Sequence, residues 1–248
     1  MENVKYLLSL FFSFIGGFSF YYWIWIRLVK GWNKERFLNF YRTENKEERL
    51  LIVVPTQKIH NTSPNVITTH EDAMAQAELQ CEFIKYGITH DIVLDRDVTD
   101  QLLRERNIIL ICGPGGNSVT QKLYNHNSHG IPVKFVNKNG AWSIINLDGH
   151  PWNRDESSND TDYGILVRTN NPWSRSHNLN KWLVLGAGIE GLGTWGAIHF
   201  ISQKTKELWG ELKSKKVEKR NPRFWAIIKA SRNKSQSPTT SICECGSI

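Results

Sequence analysis

Apolar positions in the first half of the chain fall in short continuous blocks, each followed by a polar, helix-patterned segment. Leu50–Pro55 (LLIVVP), His90–Leu94 and Asn107–Cys112 are such blocks, and successive β-branched and aliphatic side chains predict strands covered on both faces. Thr68-Thr-His-Glu71 has the form of a capping box and opens a helix on which Ala73, Ala77, Cys81 and Ile84 recur on one face, with Gly87 as its stop. Thr99–Arg106 predicts a second, short helix. This βαβαβ order with short connections is the alternation that builds a parallel sheet with right-handed crossovers. The intervening loop Thr56–Thr69 is long and polar, as expected of a functional lid.

After Tyr124 the pattern changes. Val133–Val136 and Trp142–Ile145 alternate around Asn137-Lys-Asn-Gly140, a hairpin signal. A polar loop, Asp148–Asp162, leads to a strand at Tyr163–Arg168; another strand at Trp182–Leu185 and a helix from Thr194 to about Leu212 close the domain. The expected fold class is α/β, a Rossmann-like, mostly parallel sheet with a β-hairpin insertion, over residues 50–212.

The two ends change this picture. Tyr6–Ile26 carries no charge over 21 positions and ends in tyrosines and tryptophans. At ~1.5 Å per residue it spans a ~30 Å bilayer core, and its bulky end argues against a cleaved signal peptide. Residues 1–30 are therefore expected to form one transmembrane anchor and 31–49 a linker. Arg27, Lys30, Lys34 and Arg36 follow the span against Lys5 before it, which places the main domain on the cytoplasmic side. Four scattered cysteines fit a reducing compartment, and no metal set accompanies Cys243-Glu-Cys245 or the loop histidines His126 and His129.

Residues 1–202 hold 20 Lys/Arg and 20 Asp/Glu, whereas 203–248 hold 11 and 4, so the whole net charge of +7 lies at the C-terminal end. Residues 213–248 are expected to be a basic, partly disordered tail. With Phe224, Trp225, Ile227 and Ile228 between cations, it suits anionic lipid better than nucleic acid, which is not an expected partner.

Candidate chemistry gathers at two glycine junctions. In Asn107–Tyr124 (NIILICGPGGNSVTQKLY), Gly113, Pro114, Gly115 and Gly116 lie between a strand and a helix that Asn117 or Ser118 can cap. Free amides and the dipole at such a helix start suit a phosphate. Lys181–Phe200 repeats the arrangement with Gly186, Gly188, Gly191, Gly193 and Thr194, and two such strand ends can face one crevice. Arg168, at the carboxyl end of its strand, is a further candidate contact. Glu71, Asp72, Asp148 and Glu190 are the carboxylates available for acid–base work, with Glu190 set between glycines of the second turn.

Gly186-Ala-Gly188-Ile-Glu-Gly191 satisfies G-x-G-x-x-G, but no strand with a ribose-binding acid is expected after it. Pro114-Gly-Gly116 together with Gly193-Thr194 resembles the PGG turn and GT pair of the LOG and lysine-decarboxylase-like (SLOG) nucleotide-binding modules. The resemblance covers two short loops on different junctions and implies a nucleotide-derived ligand. No glutamate follows Thr194 at the family spacing, so the family's hydrolytic activity does not carry over with it. The sequence thus points to a membrane-anchored cytoplasmic domain binding a nucleotide-like or other phosphorylated ligand, as a signalling sensor or effector. A nucleoside or nucleotide N-glycosidic hydrolase or transferase is one alternative and a scaffold for protein partners another; no particular cofactor is indicated.

Overall fold

The computed structural model describes residues 31–32, 34–43, 48–56, 69–125, 130–153, 160–174, 180–219, 221–233 and 236–248. The expected membrane span and most of the Thr56–Thr69 loop lie outside them. Among the described residues no helix is long and apolar enough to cross a membrane.

The architecture is α/β. A helix covering residues 34–41 (α1) precedes β1 (Leu50–Val54), α2 (His70–Tyr86), β2 (His90–Leu94), α3 (Asp100–Glu105), β3 (Ile108–Ile111) and α4 (Ser118–Asn125). Three short strands follow, β4 (Lys134–Lys138), β5 (Ala141–Ile145) and β6 (Pro151–Asn153), forming their own antiparallel sheet. The β4–β5 turn uses Asn139 and Gly140 at φ 55° and 89°, the left-handed pair that the Asn-Gly sequence supplies readily. The chain continues through β7 (Thr161–Asn170), β8 (Trp182–Gly188), α5 (Gly191–Gln203), α6 (Thr205–Ser214), β9 (Phe224–Asn233) and β10 (Gln236–Ser247).

The main sheet has the order β10-β9-β7-β8-β3-β1-β2. β2, β1, β3 and β8 pair in parallel, while β7, β9 and β10 are added antiparallel. Five of the seven strands therefore run in one direction, with β7 and β10 opposed. Both faces are covered, which is why β1 and β3 read as unbroken apolar runs. Leu50, Ile52 and Val54 point to the side of α2 and α5, with Ile109, Ile111 and Val184; Leu51 and Val53 point to the side of α4 and the small sheet, with Leu110 and Leu185.

Two expectations are overturned. The C-terminal segment is not a solvated tail, since β9 and β10 complete the main sheet. Phe224, Ala226 and Ile228 fill the core on one face, and Trp225 and Ile227 on the other. The apolar group assigned to lipid is thus interior, and the sequence basis for lipid binding by this segment is removed. On α2, Ala73, Ala77, Cys81 and Ile84 face solvent, whereas Ala75, Leu79 and Phe83 are buried. Phe37 and Tyr41 of α1 pack on Phe83 and select that stripe.

Candidate functional site

At the carboxyl edge of the parallel strands a cleft of about 380 Å³ opens between the two glycine junctions, the N-terminus of α2 and the small sheet. This is where open α/β sheets place their ligands. Gly113, Pro114, Gly115 and Gly116 line it from the first junction, and Gly188, Glu190 and Gly191 from the second. Thr69, Glu71 and Asp72 enter from α2, Phe135 and Trp142 from β4 and β5, Asp162 from β7 and Arg232 from β9.

The first turn is closed on itself. The amides of Gly116 and Asn117 both donate to the Gly113 carbonyl, at 3.1 and 3.0 Å. Asn117 is buried: its Oδ1 accepts from Val119 and Thr120 as the cap of α4, and its Nδ2 donates to the Ile111 carbonyl at 2.9 Å. The Ser118 amide donates to Asp95 at 2.6 Å. The first-turn donors of α4 are therefore taken by the chain's own groups, and a carboxylate already sits at its positive end. Of the three amides expected to hold a phosphate, those of Gly115, Gly116 and Asn117, the last two are spent on the Gly113 carbonyl.

The second turn also holds a carboxylate of the chain. Asp162 accepts from the amides of Glu190 (3.1 Å), Gly193 (2.6 Å) and Tyr163 (2.8 Å), pinning the start of α5 to β7. Burial pushes its carboxyl up to about 6, outweighing the three amides that favour the charged form, while Glu190 nearby pushes in the same direction as burial. Gly188 gives its amide to Thr194 Oγ1 at 3.0 Å. A side chain at Gly193 would run into the backbone of Tyr163, and one at Gly186 into Ile198. Most glycines of this junction thus serve the close packing of α5 on β7 and β8; of those proposed as ligand contacts, Gly188 and Gly191 reach the cleft.

The deepest polar group is Asp72. It is 1% exposed, and its Oδ2 accepts from the Thr69 hydroxyl at 2.7 Å while Oδ1 has no hydrogen-bond partner. Burial raises its pKa against hydrogen bonding from Thr69 and weaker hydrogen-bonding pull from the Cys112 thiol and the Thr194 hydroxyl, neither of which reaches Oδ1 with normal hydrogen-bond geometry. Cys112, directly after β3, has φ 84°, a conformation that side chains rarely adopt, and lines the same cleft. Its thiol is held well above the usual range by burial, then by the charge of Asp72, so it is a neutral neighbour rather than a thiolate. Glu71 pairs with Arg232 at 2.8 Å on the rim.

No protein-family model matches this chain, and no curated protein does. The case for a function therefore rests on the cleft itself.

Two sequence candidates lie elsewhere. Arg168 is at the opposite edge, because β7 runs antiparallel to β8 and its carboxyl end meets the amino ends of its neighbours. There its guanidinium donates to the carbonyls of Phe40 and Pro222 and to Asn221 Oδ1, buried and structural. Asp148 is exposed in the β5–β6 connection and does not line the cleft. Asp162, Arg232, Trp142, Phe135, Cys112 and Thr69 are cleft residues that the glycine pattern did not point to. Cys112, directly before Gly113, and Thr69, capping the helix of Glu71 and Asp72, were within reach of that reasoning; Arg232 and Asp162 required the pairing of β7 with β9. Among the described residues no group of three or more His, Cys, Asp or Glu side chains is arranged to hold a metal.

Proposed function

We propose that the cleft binds a small, aromatic, hydroxyl-bearing molecule of the nucleoside class and that its carboxylates act on the N-glycosidic bond, as in a nucleoside hydrolase or transferase. The observation that carries this reading is the convergence of Glu71, Asp72, Asp162 and Glu190 on one cleft whose neighbouring helix starts already hold the chain's own carboxylates. Acidic side chains accept from sugar hydroxyls and repel phosphate, so the hydrolase or transferase alternative gains over the phosphorylated-ligand sensor. Trp142 and Phe135 offer aromatic surface to a base. The strand order β2-β1-β3-β8 supports a Rossmann-like reading of the parallel half. Attachment through Tyr6–Ile26, with the domain on the cytoplasmic side, is part of the same proposal.

Chromatography of free base released from a panel of nucleosides by the full chain tests it. Release is expected for at least one of them, slowed roughly a hundredfold or more by Asp72→Asn with binding retained, the scale at which a lost acid or base acts. Binding without release in the wild type would return the domain to a sensor; no binding of any nucleoside would end the reading.

A further inference from the structure

We infer that the cleft selects a cationic N-glycoside of the N-ribosylpyridinium type over neutral nucleosides and over phosphorylated ones. This rests on the nucleoside reading above and narrows its substrate class. Four carboxylates line the cleft, and among its described lining residues the one cation, Arg232, is already bonded to Glu71. The field inside is therefore negative wherever these groups are ionised, and low-dielectric walls strengthen it. A second observation, of hydrogen bonding rather than of charge, concerns the most buried of these carboxylates. Asp72 is 1% exposed, lines the cleft and leaves Oδ1 without a partner. An unmatched buried carboxylate oxygen is costly, and a positive charge or a hydroxyl proton brought by the ligand relieves it. Trp142 and Phe135 add ring surface, which attracts a delocalised cation through its quadrupole.

The chemistry of departure agrees with the charge. A neutral base leaves a sugar readily only when an acid protonates it, whereas a pyridinium carries its positive charge already. In hydrolysis the water oxygen bonds to C1 of the sugar as the C1–N bond breaks. The bonding pair passes to the ring nitrogen, which becomes neutral and leaves as pyridine. One proton of the water passes to a cleft carboxylate and then to solvent. The protein must supply a base and negative charge near an oxocarbenium-like centre, and carboxylates supply both.

Calorimetric titration of the full chain with N-ribosylnicotinamide, its 5′-phosphate and inosine tests the inference. The cation is expected to bind at least tenfold tighter than inosine and tighter than its own 5′-phosphate, with the advantage shrinking as salt rises. Asp72→Asn should narrow the margin between cation and inosine. Arg232→Ala, at a half-exposed rim position that does not endanger the fold, should widen it by releasing Glu71. Inosine binding as tightly as the cation, or the 5′-phosphate binding more tightly than its parent, overturns the inference while the nucleoside reading stands. Failure of all three probes overturns both.

Discussion

The two edges of the main sheet hold buried charge in opposite ways. At the amino edge Arg168 is 1% exposed, with its donors spent on Phe40, Asn221 and Pro222 and its guanidinium 5.2 Å from the Trp182 ring centre. Four strands away along the same edge, Arg49 and Arg106 grip the partly exposed Asp91 of β2, each at 2.7 Å. At the carboxyl edge Asp162 is likewise consumed by the start of α5, but Asp72 keeps an oxygen that the protein does not match. Burial alone does not separate architecture from chemistry. A buried charge whose partners are complete holds the chain together, and one left incomplete beside a cleft is available to a ligand.

The largest effect that tests this contrast belongs to Arg168. Truncation to alanine strips the donor from two carbonyls and one amide oxygen and removes a long side chain from the interior. A loss of about 3–5 kcal/mol is expected in denaturant unfolding. A change under about 1 kcal/mol would mean that the amino edge is not the structural one.

The edges should also respond to acid with opposite signs. The folded pKa of Asp162 is raised to about 6, above the ordinary carboxyl near ~4, so the native state binds its proton more readily than the unfolded chain. Its contribution to stability falls as pH rises from about 4 to 6, by at most about 3 kcal/mol, and is flat above. Asp91 is shifted down, first by its hydrogen bonds to Arg49 and Arg106. Its contribution is present above the ordinary carboxyl pKa and is lost as pH falls through its lowered folded value. Unfolding free energies measured from pH 3 to 7 should lose the slope between about 4 and 6 in Asp162→Asn, and the acid-side slope below about 4 in Asp91→Asn. Slopes unchanged in both variants would erase the difference between the edges.

How much of this was legible beforehand depended on whether a pattern is local. β1 and β3 were readable because strands covered on both faces announce themselves as apolar runs. FWAII at the head of β9 carries the same signal, but flanking lysines and arginines and its distance from the glycine turns made it look like a basic tail. Two stripes of helical spacing exist on α2, and the choice between them is made by Phe37 and Tyr41, far away in sequence. Strand direction is not local either, which is why Arg168 was expected at the cleft. Glu190 was legible as a cleft residue because it follows the end of β8 by two residues, and Glu71 and Asp72 because they open the helix that follows β1. The capture of Asp162 by α5 joins residues 28 positions apart, Asp162 and Glu190.

The smallest effect sharpens the contrast from the carboxyl side. A β-carbon at Gly115 would stand 3.0 Å from Trp142 Nε1 and 3.3 Å from its Cε2, so Gly115→Ala must move the indole by a few tenths of an ångström. Gly115 is not among the residues with positive φ, and alanine is therefore sterically allowed by the backbone. Alanine lowers the entropy of the unfolded chain, a gain of about 0.4–1 kcal/mol that the displaced indole offsets. Net stability should shift by less than about 1 kcal/mol. If Trp142 is the wall on which an aromatic ligand lies, affinity for N-ribosylnicotinamide should fall severalfold in the same variant, because the ring that stacks on the ligand has moved. Calorimetry paired with thermal unfolding reads both quantities. Equal affinity in a folded Gly115→Ala would remove Trp142 from the binding surface and confine recognition to the carboxylates.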